Sequence, residues 1–279
     1  MLTKNINFKN FDLNKPQKKV SNILKRLLKE DNQILDSLKE NYKDSYAKKT
    51  IQKFKKFSEI ILIGMGGSIL GSRSIYSFLK KKIKKKFFFV DNLDTTYSFS
   101  KNKKNQLNLI ISKSGNTLET IVNSNLLINK KKNNIFITEN RNSYLMNLAQ
   151  KIKSEIIHHN NYIGGRYSVL SEVGILPAEL MGLNIKKFRR FNFLIKNKKF
   201  LNSLIHNVSN ILDLLKRKKV NSIILNYDNN SSDLFFWYQQ LIAESLGKKG
   251  KGILPIISSM PKDNHSLMQM YLDGSKNNF

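Results

Sequence analysis

Two periods alternate along the chain. Residues 20–42, VSNILKRLLKEDNQILDSLKENY, carry apolar positions at helical spacing, with Ser21 placed to cap the first turn. Helices are therefore expected across residues 15–55. From residue 59 the pattern changes to short apolar runs that end in glycine, serine, asparagine or aspartate: EIILIGMGGS, KFFFVDNLD, NQLNLIISKSGN and NNIFITEN. Runs of this kind read as strands buried on both faces. Amphipathic stretches separate them: ILGSRSIYSFLKKK, TLETIVNSNLLINKK and NSYLMNLAQKI. The alternation predicts an α/β fold, a parallel sheet with helices on both faces.

The pattern then begins again. FLNSLIHNVSNILDLLKRKK predicts a helix, VNSIILNYD a strand, SSDLFFWYQQLIAESLG a helix and GKGILPIISSM a strand. Three segments follow: a helical one over 1–50, a first α/β unit over 51–200, and the beginning of a second over 201–279. A unit of two or three strands leaves an open edge and an uncovered face, so more chain or a partner is expected to cover it.

Composition narrows the class. A chain of 279 residues can bury a substantial core as one large domain or two medium ones. It contains no run of about 18 apolar residues, so no membrane span is expected. The basic first 19 residues lack the apolar region of a secretory leader. The absence of cysteine excludes disulfides, thiolate metal ligands and a cysteine nucleophile. A cytoplasmic protein is the expectation.

The net charge of +29 raises nucleic acid as a partner, but it comes from 42 Lys and only 7 Arg, scattered over every polar face. Specific phosphate and base readout favours the arginine fork. Neither nucleic acid nor membrane is expected as a partner. The basic field would still draw in anionic metabolites.

Two strand ends carry the chemistry. Gly64, Gly66 and Gly67 follow the first strand, and Asp91 ends the second, where a dinucleotide fold places its ribose-binding acid. Ile69 stands where the third glycine of that fingerprint belongs, so a dinucleotide site is an imperfect match. The third strand ends in ISKSGNTLET, which sets Ser112, Ser114, Thr117 and Thr120 around one turn and one helix start, with Lys113 among them. Hydroxyls and free helical N–H groups together can ring a single dianionic phosphate. In an open parallel sheet both loops lie on the same edge.

These segments resemble the sugar isomerase (SIS) domain and, more closely, the glucose-6-phosphate isomerase family. GMGGSILG is similar to the family's glycine-rich loop and SKSGNTLET to its phosphate loop. GGRYSVLSEVGILPA, WYQQLIAESLGKKGKGILP and DNHSLMQMYLDG resemble three further family segments, in family order over residues 61–274. The resemblance implies an SIS-type parallel sheet, a flavodoxin-like three-layer sandwich, with the second SIS unit only partly present. It implies an aldose–ketose isomerase acting on glucose 6-phosphate and fructose 6-phosphate, with no cofactor and no metal. It also implies a homodimer that shares its active sites. Ser112, Lys113, Ser114, Thr117 and Thr120 would bind the phosphate, and Gly67 and Ser68 would lie near the sugar. The family also uses a lysine near its C-terminus. Lys276 lies in no matching motif and is not given that role. A non-catalytic sugar-phosphate binder is the alternative.

The remaining candidates fit the chemistry. Isomerisation moves a proton between adjacent carbons, which requires a base. Glu244 lies one turn after Gln240 on one helix face. A carboxylate near a helix C-terminus opposes the dipole, which hints at a task other than stability. Arg166, inside IGGRYS, stays charged at any working pH and suits the anionic enediolate. Sugars arrive as closed rings, and a histidine can move the ring-oxygen proton. Of the four histidines the resemblance selects His265, supplied by the neighbouring subunit. His158, His159 and His206 are expected to be surface or core residues.

Overall fold

The computed structural model describes residues 16–94, 105–128 and 133–279. The N-terminal 15 residues, and with them most of the basic stretch judged to lack a leader, lie outside the described residues. So does the expected end of one helix at 129–131.

Three helices come first: α1 (Lys18–Leu27), α2 (Gln33–Asp36) and α3 (Lys48–Phe54). Ser21 does not cap α1. The helix starts three residues earlier, after Gln17. A tertiary contact sets that start: Gln17 N donates to Ser209 Oγ at 3.0 Å and its side chain to Asp213 Oδ1 at 3.0 Å.

A five-stranded sheet follows, built from β1 (Glu59–Gly64), β2 (Lys86–Val90), β3 (Gln106–Ile111), β4 (Asn133–Thr138) and β5 (Glu155–His158). The order is β2-β1-β3-β4-β5 and every pairing is parallel. Helices α4 (Leu70–Leu79), α5 (Leu118–Leu127), α6 (Tyr144–Lys151) and α7 (Glu172–Leu180) connect or follow these strands. Alternate residues of each strand feed opposite faces. Ile60, Leu62, Leu107, Leu109, Ile135 and Ile137 pack with Phe54, Ile75, Val173 and Leu176 on one face. Ile61, Ile63, Ile110 and Phe136 pack with Leu145 and Ala149 on the other. Each such side chain contributes roughly 1.5–3 kcal/mol of burial.

One short helix and one long one lead onward: α8 (Phe191–Lys196) and α9 (Lys198–Lys216). The second sheet pairs β6 (Asn221–Asn226) with β7 (Leu254–Ser259) in parallel, linked through α10 (Ser232–Leu246). A last helix, α11 (Met268–Asp273), precedes the C-terminal residues. These already run beside β6: Ile223 N donates to Phe279 O at 2.8 Å, and Asn221 bridges Asn278 in parallel. The order β7-β6-C-terminal segment repeats the order β2-β1-β3 of the first sheet.

The two sheets are tied through α4 and α10. Ser74 Oγ donates to the Asp233 carbonyl at 2.7 Å, and Ser77 Oγ to the Asp233 carboxylate. Arg73 bridges Asp233 at 3.2 Å and Asp91 at 2.5 Å. Asp91 is therefore committed to an arginine, not exposed for a ribose. Among the described residues no helix is long and apolar enough to cross a membrane.

Candidate active site

The carboxyl ends of β1 and β3 are neighbours, because Gly64 pairs with Ile111. The loops that leave them build two halves of one site. After β1 the chain makes a short 3-10 turn, Gly66–Ser68, before α4. Gly67 meets the Gly165–Arg166 backbone there. A Cβ on Gly67 would lie 2.2 Å from the Gly165 carbonyl carbon and 2.5 Å from Arg166 N, so only glycine permits the approach. Ile69 is fully buried, and it anchors the start of α4 in the core.

After β3 the turn is shaped by hydroxyls. Ser112 Oγ lies 3.0 Å from Thr117 Oγ1, and Ser114 Oγ lies 3.4 Å from the same atom. Gly115 N donates to Ser112 Oγ and Asn116 N to Ser114 Oγ, both at 3.2 Å. Gly115 has φ of +66°, and a Cβ there would strike the Ser143 side chain. Thr117 is the N-cap of α5, yet its side chain makes no cap hydrogen bond. The first-turn N–H groups are thus left for an anion, in the electropositive field of the helix start. Thr120, in that first turn, is 1% exposed and its Oγ1 has no hydrogen-bond partner among the described residues.

Lys113 does not join this ring. Its ammonium donates to the carbonyls of Asn161 at 2.8 Å and Ile163 at 3.1 Å, and pairs with Glu139 at 3.4 Å. It clamps the segment that leads into Gly164 and Gly165, and so supports the approach of Arg166 to the β1 loop.

The second unit supplies the other wall. Helix α10 lays its Gln240 amide against Gly66. One turn on, Glu244 Oε1 meets Arg166 Nη1 at 2.8 Å, and Gln240 Nε2 donates to Glu244 Oε2 at 3.2 Å. Arg166 is also held at Ser245 Oγ, 2.9 Å from its Nε. Its guanidinium lies 4.6 Å from the centre of the Tyr167 ring. Trp237 Nε1 donates to the Arg166 carbonyl at 3.2 Å. Residues 166 and 244 come from different units, Arg166 from the segment after β5 and Glu244 from helix α10. Ser245, Tyr167 and Trp237 lie inside the motifs read from sequence, but spacing carries no signal of these contacts.

The structure brings Gly67, Ser68, Arg166, Gln240 and Glu244 together, with the Ser112, Ser114, Thr117 and Thr120 hydroxyls on the neighbouring strand end. It does not bring His265 to them within one chain. That residue sits exposed in the turn Lys262–His265 after β7. Lys276 donates to the Leu272 carbonyl at 2.7 Å and has no contact with the site. His159 is core, and His158 is exposed. Among the described residues no group of three or more metal-ligating side chains is present.

Comparison with known proteins shows the family and the fold. The profile of a family described as Phosphoglucose isomerase matches residues 13–253. The glucose-6-phosphate isomerase of Methanocaldococcus jannaschii is 35% identical, over 92% of this chain and 66% of its own length. That of Mycoplasmopsis pulmonis is 34% identical, over 81% of this chain and 59% of its own. The chain thus spans about three-fifths to two-thirds of the length of these relatives. Among solved structures, a hypothetical protein from Thermus thermophilus superposes with a TM-score of 0.73 at 21% identity, covering 94% of this chain and 69% of that one. Tagatose-6-phosphate ketose/aldose isomerase from Escherichia coli gives 0.59 at 15% identity, over 82% and 65%. These likenesses establish the SIS-type α/β fold. From the profile match and the relatives' identity together, the chain belongs to the phosphoglucose isomerase family.

Proposed function

We propose that this chain interconverts glucose 6-phosphate and fructose 6-phosphate through an enediolate, the step shared by glycolysis and gluconeogenesis. One observation carries the reading. A carboxylate and an arginine from different units meet at 2.8 Å beside a glycine turn, at the sheet edge that also bears an uncapped, hydroxyl-lined helix start. The substrate phosphate would rest on Ser112, Ser114, Thr117 and Thr120 and on the α5 N–H groups. That single anchor leaves the other end of the sugar to the β1 loop, with Gly67 and Ser68, and to α10.

Glu244 would take the proton from C2 of the open-chain aldose. Its electrons form the C1–C2 double bond, and the carbonyl electrons move onto O1. Arg166, paired with Glu244 at rest, would offer its Nη edge to the charge gathering on the oxygens. A proton passes from O2 to O1, the O2 electrons form the C2 carbonyl, and Glu244 returns its proton to C1, which leaves the ketose. A placed carboxylate base supplies about 10²–10⁴-fold, and a fixed cation on the oxyanion adds a few kcal/mol. The sequence of steps needs no cofactor and no metal. Gln240 holds Glu244. Lys113 acts through the segment it clamps, and its charge adds to the local field. His265 would open the sugar ring from the neighbouring subunit of a homodimer. We assign 1–50 to a helical segment, 51–200 to a first SIS domain and 201–279 to the start of a second. A cytoplasmic setting suits this sugar-phosphate chemistry.

The test is Glu244→Gln, which keeps shape and removes the base. Turnover of fructose 6-phosphate should fall by at least about 10², while binding, followed through the emission of Trp237, changes little. Trp237 is the one tryptophan and touches Arg166 directly. Retained turnover in the variant would remove Glu244 from the mechanism. A wild-type chain that binds without turnover would be a sugar-phosphate binder instead.

A further inference from the structure

Ser245 follows Glu244 on α10 and has no part in the steps above. Its hydroxyl lies 2.9 Å from Arg166 Nε and 2.8 Å from Tyr167 OH. Arg166 Nε–H can only donate, so Ser245 Oγ accepts there. Its remaining proton and lone pair both face Tyr167 OH. The three groups form a continuous hydrogen-bonded chain in which either hydroxyl can donate in the Ser245–Tyr167 contact. Burial alone would raise the Tyr167 phenol, but the Ser245 hydrogen bond and the Arg166 charge hold it below the usual value.

The same arginine is held on its flat face by the Tyr167 ring at 4.6 Å and at its backbone carbonyl by Trp237. Arginine carries about 2 kcal/mol of side-chain conformational freedom. A guanidinium fixed at Nε and on one face loses that freedom before any ligand arrives, and only the two Nη groups remain to serve one. Nη1 meets Glu244, and Nη2 makes no hydrogen bond among the described residues. Such preorganisation counts in catalysis because no reorientation is needed when charge develops.

We propose that Ser245 is a positioning residue. By accepting from Arg166 Nε–H, with Tyr167 as second support, it sets the guanidinium plane so that the Nη edge faces both Glu244 and the oxygens of the reacting sugar. The catalytic consequence rests on the isomerase reading; the geometry does not. Alanine at 245 suits a helix, so Ser245→Ala removes the acceptor without weakening α10.

Two measurements on the full chain test the proposal. The first needs no activity. In a ¹⁵N-labelled sample the Arg166 Hε resonance, identified by its loss in Arg166→Lys, should exchange slowly with water. Exchange should quicken about tenfold or more in Ser245→Ala and slow again in Ser245→Thr, which keeps the hydroxyl. Unchanged exchange in Ser245→Ala overturns the proposal. The second is kinetic. With fructose 6-phosphate, kcat should fall about 10–100-fold in Ser245→Ala with KM changed less than about threefold, and recover in Ser245→Thr. A higher KM at unchanged kcat also overturns it. A wild-type chain without turnover defeats the isomerase reading alone, and the exchange measurement still decides the role of Ser245.

Discussion

His159 and Glu172 show what burial does to single residues beside the site. Both side chains are about 1% exposed, with His159 Nδ1 3.8 Å from Glu172 Oε1. His159 Nδ1 lies 2.9 Å from the Asn160 carbonyl, which calls for a proton on that nitrogen and leaves Nε2 bare and unpartnered. The Asn160 amide in turn donates to Glu172 Oε1 at 2.7 Å. Burial, together with the nearby Lys113 charge, pushes His159 down to about 4 from 6.5, against the pull of the Asn160 carbonyl. The unfolded chain therefore binds a proton between those values that the folded chain does not. Stability from this residue is complete above about pH 6.5 and is lost as pH falls toward 4, by about 3 kcal/mol in all. Glu172, which burial raises, contributes with the opposite sign. Urea unfolding at pH 7.5 and 4.5 should show wild type losing about 2 kcal/mol more than His159→Gln. Parallel losses would show that His159 does not cause the acid sensitivity. At this same scale Arg166 and Glu244 were legible because each sits in a compact motif. Ser245 was not, because its role depends on a partner 79 residues away.

At the scale of elements, the reading held where periodicity was strong and failed where it was absent. Strands β1 to β4, β6 and β7 and helices α4, α5, α6, α9 and α10 follow their apolar patterns. Strand β5 has four residues, with Glu155 and His158 at its ends, too few for a period to register. Helix α7 is buried on nearly every side and contains Gly174 and Pro177. It therefore shows no amphipathic stripe and two residues that normally argue against a helix. Helix α5 yields a prediction of its own. Thr120 Oγ1 is buried in the first turn without a partner, so it gives the fold no hydrogen bond to lose. Thr120→Val should leave the melting temperature within about 2 °C of wild type, because no internal bond is broken. Affinity for fructose 6-phosphate, read by Trp237 emission, should fall about fivefold or more if the hydroxyl serves the phosphate. Equal affinities would place Thr120 outside the phosphate site.

At the scale of the molecule, the site depends on the docking of two units. Arg73, set between Asp91 and Asp233, and the Ser74 and Ser77 bonds to Asp233 hold α4 against α10. That contact brings Glu244 to Arg166. It leaves His265 exposed and apart from them within one chain. A mixing experiment separates the cases. Glu244→Gln and His265→Ala should each abolish turnover as homodimers. Co-expressed in equal amounts, they should restore about a quarter of wild-type activity, because half the dimers are mixed and each mixed dimer has one intact site. No restoration would mean that His265 acts in its own subunit, and an active His265→Ala chain would mean that it does not act at all.

The sequence by itself determined the α/β class, the two-unit order, the glycine and hydroxyl loops and the family. Each of these is written in local periodicity or in a short contiguous motif. Only the tertiary structure decided where α1 begins, that Lys113 clamps the 161–163 segment, that Asp91 belongs to Arg73, and that Ser245 and Tyr167 grip Arg166. The physical reason is common to all four. Each depends on a polar group meeting a partner 18 to 196 residues away in the chain or seated by packing from the other unit, and neither spacing nor hydropathy records that geometry.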